Sequence, residues 1–422
     1  MLLEDFDYNL DKSRIAIKPV FPRDSAKLLV FKDSQIQDFI FNNIVNFPKK
    51  GDVLILNNTK VLRSFIKLKQ NISINLCEEL SLNTWSALCK NVKKLKIKDV
   101  FSFRGGEITI VDIESLGKIT VRIDPKSSLD EFLNCHGEMP IPQYISKARS
   151  TTNIKSDASE AQGINNSSHN IEDDTGYQTN ASDVQGINNS SHNTKDDINY
   201  QTNASDVQGI NNSSHNIEDD INYQTVYSQD LGSIAAPTAG LHFTKELLEK
   251  IQLMGVKIKY VTLHVGLGTY KPITAGDIND HVMHSERVHV SQDVFLDAID
   301  AKRRGNKVFA VGSTSLRSLE GFLVRNDINL EHWMNLDEQK FTSYYTQFSF
   351  IESFETNIYI KPGHKFELVD GLITNFHLPK SSLLVLVASF IGFENMRRVY
   401  YHAIESNYRF YSYGDTSLLM RN

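Results

Sequence analysis

Two apolar runs near the start of the chain, Lys27–Phe31 and Val53–Leu56, have the length and content of buried strands. The second ends in Asn57-Asn58-Thr59-Lys60, which reads either as a polar turn or as a strand end presenting amides to a ligand. From 61 to 146 the pattern becomes short and alternating: Ser73–Leu76, Val100–Phe103, Ile108–Val111 and Ile119–Ile123, punctuated by Gly105-Gly106 and Gly117. That predicts many short strands in a small β-barrel or sandwich. From 226 onward helix and strand signals alternate. Thr244 precedes Leu247, Leu248 and Ile251 at helical spacing, with Gly255 as a stop. Val256–Val265 then reads as a strand and Ser291–Arg304 as a helix. Lys307–Val311 reads as a strand from which Gly312–Arg317 opens a helix, and Leu372–His377 leads through Pro379–Ser381 into an apolar helix. The alternation predicts an α/β sheet covered by helices.

Residues 147–225 break both patterns. A 23-residue unit starts at Ala158, Ala181 and Ala204, each copy ending in Tyr-Gln-Thr. Asn, Ser, Asp and Gln dominate it, and it has too few large apolar side chains to offset its ordering entropy, so a disordered insertion is expected. His169, His192 and His215 recur with the unit and reflect duplication, not a metal array.

Charge follows the same division. Between Ala158 and Thr225 there are eleven acidic residues and one lysine, so the rest of the chain is net +4 although the whole is −6. A mildly basic body permits an RNA partner. Lys90, Lys93, Lys94, Lys96 and Lys98 form a cluster that suits a solvated strand edge or phosphate contact. Three cysteines without a CxxC pair argue against a disulfide framework. The acidic opening Met1–Asp7 has no leader pattern, and no apolar run approaches the ~20 residues of a membrane span. A cytoplasmic location is the expectation.

Candidate chemistry concentrates between Ile234 and Glu286. Four histidines there, His242, His264, His281 and His284, lie beside Gly, Pro, Ser or Thr, outside any regular apolar pattern. Glycine lets a backbone approach a ligand, and imidazole exchanges a proton near neutral pH. His281-x-x-His284-x-Glu286 also admits a metal site, although a helical zinc pair spaces its histidines by four.

Nine blocks together resemble the S-adenosylmethionine:tRNA ribosyltransferase-isomerase family of queuosine biosynthesis. They are Phe6–Leu10, Pro22–Ser25, Leu56–Val61, Gly232–Thr244, Thr262–Tyr270, His281–Glu286, Ala310–Glu320, Leu372–Leu384 and Tyr408–Asp415. The resemblance implies an α/β domain built discontinuously from both chain ends (1–60 and 226–422), a β-barrel domain inserted at 61–146, and the repeat insertion at 147–225. It implies transfer and isomerisation of the ribosyl group of S-adenosylmethionine onto 7-aminomethyl-7-deazaguanine at the tRNA wobble position. The products are epoxyqueuosine-tRNA, adenine and methionine. S-adenosylmethionine is then a co-substrate; no prosthetic group or metal is implied, and a monomer is expected. Leu62–Ile66 and Gln70–Ser73 depart from the family's usual barrel sequences.

Such a reaction needs groups that take a proton from the amine and from the donor's C5′ position and that help adenine leave. The candidates are His242, His264, His281, His284, Glu286, His377 and Asp415, with acid and base unassigned. Binding candidates are Asn57, Asn58, Thr238, Gly240, Gly266, Gly268, Thr269, Ser313, Thr314, Arg317, Asn375, Lys380 and Arg409. The Gly312–Ser315 turn offers amides and hydroxyls to an anionic group such as the methionine carboxylate. Arg317 suits that carboxylate, an RNA phosphate or a plain helix surface; Lys380 and Arg409 suit phosphates. Two other classes stay open: an RNA-binding protein without catalysis, and a metal hydrolase built on the histidines.

Overall fold

Strands from the two ends of the chain pair into one sheet. The N-terminal strands are β1 (Lys27–Lys32), β2 (Gln35–Ile40), β3 (Val53–Asn57) and the short β4 (Thr59–Val61). The next seven are β5 (Phe65–Lys67), β6 (Ser73–Ser81), β7 (Thr84–Lys90), β8 (Val100–Phe103), β9 (Gly106–Ile113), β10 (Lys118–Pro125) and β11 (Gly137–Glu138). The C-terminal half adds β12 (Asp230–Ser233), β13 (Lys257–Leu263), β14 (Glu286–Ser291), β15 (Val308–Val311), β16 (Ile351–Thr356), β17 (Gly371–Asn375) and β18 (Thr416–Met420). In this computed structural model residues 1–69, 71–114, 117–142, 144–146, 149, 217–266, 273–347 and 351–421 are described.

The larger sheet has nine strands in the order β16-β14-β13-β3-β15-β17-β18-β1-β2. Its centre, β13, β3, β15 and β17, is parallel. Side chains alternate across it. Leu29, Phe31, Val53 and Ile55 enter one core, while Leu28, Val30, Leu54 and Leu56 enter the other. The helices Gln292–Arg303, Gly312–Arg325, Ser382–Ile391 and Phe393–Glu405 contribute to the first core, and Lys245–Leu253 to the second. Helix starts follow side-chain chemistry. Thr244 Oγ1 accepts from Leu247 N at 3.1 Å and Ser381 Oγ from Leu384 N at 3.2 Å, satisfying otherwise orphaned amides. The helix Ser382–Ile391 is apolar nearly all round and correspondingly buried.

Strands β5 to β11 form a seven-stranded antiparallel sheet in the order β11-β5-β6-β7-β10-β9-β8. Its end strands do not pair, so the expected barrel is a curled sheet left open between β8 and β11. The helix Leu129–His136 turns Phe132 and Leu133 into the core of that sheet, covering apolar surface that closure would otherwise hide.

Several elements lacked a strong sequence signal. Strand β2 is an edge with mostly exposed residues. The helix Ile217–Asn222 and the buried Tyr223 lie at the end of the stretch read as an insertion. Three arginines hold that helix: Arg63 to Asp220 at 2.6 Å, Arg149 to Asp219 at 2.8 Å, and Arg23 through the carbonyls of Ile221 and Gln224. The repeats upstream of it lie outside the described residues.

Candidate active site

Parallel strands of an α/β sheet leave a crevice beyond their carboxyl ends. Here β13, β15 and β17 run out into such a cleft, of about 530 Å³ including space open to solvent. Val265 follows β13, the Gly312–Thr314 turn follows β15, and Thr374, Asn375 and His377 mark the end of β17. Pro237 and Thr238 on one side and Tyr411 and Ser412 on the other complete the wall. Gly312 has φ +86°, a left-handed conformation that turns β15 directly into a helix. No side chain caps that helix, so its first amides are free for an anion. Two buried polar atoms of the wall have no partner, Thr314 Oγ1 and Asn375 Oδ1. Buried polar atoms are nearly always satisfied, so these mark places for a guest.

One histidine lines this cleft and a second backs its wall. His377 is buried and its Nε2 lies 2.9 Å from Thr374 Oγ1. Burial pushes its pKa down to about 3. His242 is also buried, packed on the Phe41 ring, and Asn375 Nδ2 donates to its Nε2 at 3.3 Å. Burial lowers its pKa to about 4 against the opposing pull of Asp415. Both imidazoles are therefore neutral at pH 7, and pKa values held this low leave them weak bases.

A second, smaller pocket of about 280 Å³ adjoins. His242, Arg409 and Tyr413 line it with Pro19, Val20 and Arg23, and Ser412 lines both cavities. Asp415 works behind this wall. Its carboxylate accepts from Lys27 N at 3.1 Å, Arg409 N at 2.8 Å and Arg409 Nη2 at 3.1 Å, which pins the Tyr408–Asp415 turn.

The other sequence candidates spread away from the cleft. His264 follows β13 but its Nδ1 meets Thr59 Oγ1 at 2.8 Å. A Cβ on Gly232 would come within 2.8 Å of its ring. Partial burial and the nearby His289 and Arg287 lower its pKa to about 4. Asn57 ties the end of β3 to Leu263 through its amide, and Asn58 bonds Asp230 and Thr262. Glu286 faces Arg317 in an ion pair 3% exposed on each side, and its other oxygen accepts from Gly266 N at 3.3 Å. His281 stacks edge-on against Tyr359, partly buried, and His284 is exposed. Lys380 pairs with Glu4 and Asp7 at 2.8 and 2.9 Å. A Cβ on Gly240 would strike the Tyr227 hydroxyl, so it serves packing. Gly268 and Thr269 lie outside the described residues. Sequence reasoning did not single out Arg23, Thr374, Tyr411, Ser412 or Tyr413. The mixed aromatic and polar block Tyr408–Asp415 carried the signal, but only the turn, with Tyr411 at φ +75°, brings four of its residues to the cavities.

A largely apolar cleft with a few convergent polar groups at the carboxyl ends of parallel strands defines an α/β protein built to bind a small ligand at its switch point. The chain belongs to the queuosine biosynthesis protein family, whose model matches residues 3–187 and 195–419. A relative from Rickettsia bellii (strain RML369-C) is 34% identical over 437 residues, covering all of this chain and 99% of its own. One from Rickettsia africae is 36% identical over 432 residues, covering both chains fully. Both are named S-adenosylmethionine:tRNA ribosyltransferase-isomerase. A solved S-adenosylmethionine tRNA ribosyltransferase from Thermotoga maritima aligns with 99% of this chain and all of its own at 24% identity and TM-score 0.46.

Proposed function

We propose that this chain transfers and isomerises the ribosyl group of S-adenosylmethionine onto 7-aminomethyl-7-deazaguanine at the wobble position of tRNA, and that it does so in the cleft at the ends of β13, β15 and β17. The observation that carries the location is the pair of buried, unpartnered atoms, Thr314 Oγ1 and Asn375 Oδ1, beside an uncapped helix start. The amides of the Gly312–Thr314 turn take the methionine carboxylate of the donor. Asn375, oriented through Nδ2 by His242, keeps Oδ1 for an N–H of the substrate. His377 lines the cleft as a neutral, weakly basic ring and meets the donor as a hydrogen-bonding partner rather than as the base. His242 is a positioning residue that acts through Asn375. Glu286 and Arg317 shape the approach to Gly266 and stay out of direct contact with the donor.

In this reading S-adenosylmethionine is a co-substrate, the enzyme is a cytoplasmic monomer without a prosthetic group, and the repeats extend a surface loop. No helix among the described residues is long and apolar enough to cross a membrane. The test is to incubate purified protein with S-adenosylmethionine and tRNA carrying the aminomethyl base. Adenine release with a matching mass gain on the nucleoside supports the reading. No product where a control enzyme turns over rejects it. Loss of activity in Asn375→Ala, with the fold intact, ties the reaction to this cleft.

A further inference from the structure

The smaller pocket has features that neither packing nor the reaction above explains. Phe21 sits between Val20 and Arg23, both wall residues, yet its ring is 93% exposed. No other large hydrophobic side chain among the described residues is as exposed. A ring left in water adds nothing to the fold. Two cations nearby lack a carboxylate partner among the described residues. Arg23 is held by the carbonyls of Ile221 and Gln224, and forms no ion pair with a carboxylate among the described residues. Lys18, three residues before Phe21, is exposed and equally without an acidic partner there. Tyr413 lines the pocket, and its buried hydroxyl has no hydrogen-bond partner among the described residues.

The pocket shares a wall with the main cleft. Ser412 lines both, and His242 on its wall takes the hydrogen bond from Asn375. An exposed aromatic beside two cations that no carboxylate pairs among the described residues is the chemistry of single-stranded RNA binding, in which splayed bases stack on rings and phosphates meet cations. Drawing one base out of an anticodon loop uncovers the face of its neighbour, and an exposed ring at that point replaces the lost stack.

We propose that this pocket is a second nucleotide subsite: Phe21 stacks on an anticodon-loop base flanking the modified one, Tyr413 hydrogen-bonds that nucleotide, and Arg23 and Lys18 supply charge for its phosphate. The proposal rests on tRNA being the substrate of the main cleft. Phe21→Ala, Phe21→Leu and Phe21→Trp in the full chain test it, with S-adenosylmethionine and modified tRNA as substrates. Loss of one base–aromatic stack raises the KM for tRNA about 10-fold in Phe21→Ala. Phe21→Leu, apolar but without a ring face, behaves like it. The KM for S-adenosylmethionine and the melting midpoint stay at wild-type values. Phe21→Trp retains the tRNA KM, and its indole emission is quenched when an anticodon stem–loop is added, above the background from Trp85 and Trp333. An unchanged tRNA KM in Phe21→Ala overturns the subsite, as does F21W emission blind to the stem–loop. Should wild-type protein itself fail to use tRNA, the functional reading falls first, so the two failures are distinguishable.

Discussion

The two sheets treat buried polar atoms differently. In the seven-stranded sheet Ile66, Ile74, Ile108, Ile110, Ile119 and Val121 are wholly buried, and within β5–β11 one side-chain polar atom, Trp85 Nε1, is buried without a partner among the described residues. Around the carboxyl ends of the nine-stranded sheet and the helix Gly312–Arg325 there are several: Thr314 Oγ1, Arg317 Nη2, Glu320 Oε1, Asn375 Oδ1 and Tyr413 Oη. Each such atom costs about 1–3 kcal/mol. One sheet is organised for stability, while the other carries a cost of which a bound substrate offsets the part at Thr314 and Asn375.

The largest expected effect comes from the buried ion pair. Arg317→Met withdraws the cation from Glu286 where both side chains are 3% exposed, and should lower stability by about 3–5 kcal/mol in urea unfolding. An unchanged urea midpoint would show that the pair is not buried in solution. Acid comes next. His242, His264 and His377 have folded pKa values of about 4, 4 and 3, below the ordinary 6.5. The unfolded chain therefore binds more protons between pH 6.5 and about 4. Stability is full above pH 6.5 and falls as pH drops through that window, by up to ~3 kcal/mol for the fully buried His242 and less for the partly exposed His264. A His242→Gln variant should flatten the profile; identical slopes for both proteins would remove His242 from the account.

Thr314→Val sharpens the contrast between the sheets. It deletes an unpartnered hydroxyl at constant shape, so the melting midpoint should hold or rise slightly while the KM for S-adenosylmethionine rises about 10-fold. A clear loss of stability with unchanged KM would mean that the hydroxyl serves the fold. The smallest effect is expected from deleting Ala158–Asn203. The cost of closing a loop grows only with the logarithm of its length, and the docked helix Ile217–Asn222 with Tyr223 is kept. Melting point and adenine release should both stay within error of wild type.

Much of this architecture was legible in residue order. Period-two alternation marked the strands of the second sheet, helical spacing behind Thr244 and Ser381 marked two capped helices, and glycine after Val311 marked the strand-to-helix turn. Strand β2 was less visible because an exposed edge has little apolar pattern to show. The expected barrel was read from short strands with turn signals and from the family resemblance, and pattern does not reveal whether the end strands meet.

Local chemistry and the order of motifs along the chain were enough to define the family and the kind of secondary structure at most positions, since propensity, capping and periodicity act over a few residues. Only the folded chain decided which polar groups meet. His242 and Asn375 are 133 residues apart in sequence, while His264, inside an equally suggestive motif, turns to Thr59 instead of the cleft. Asp415, an acid/base candidate in its motif, holds a turn together through three hydrogen bonds. Burial, partner geometry and hence protonation depend on packing between distant segments, which no local pattern encodes.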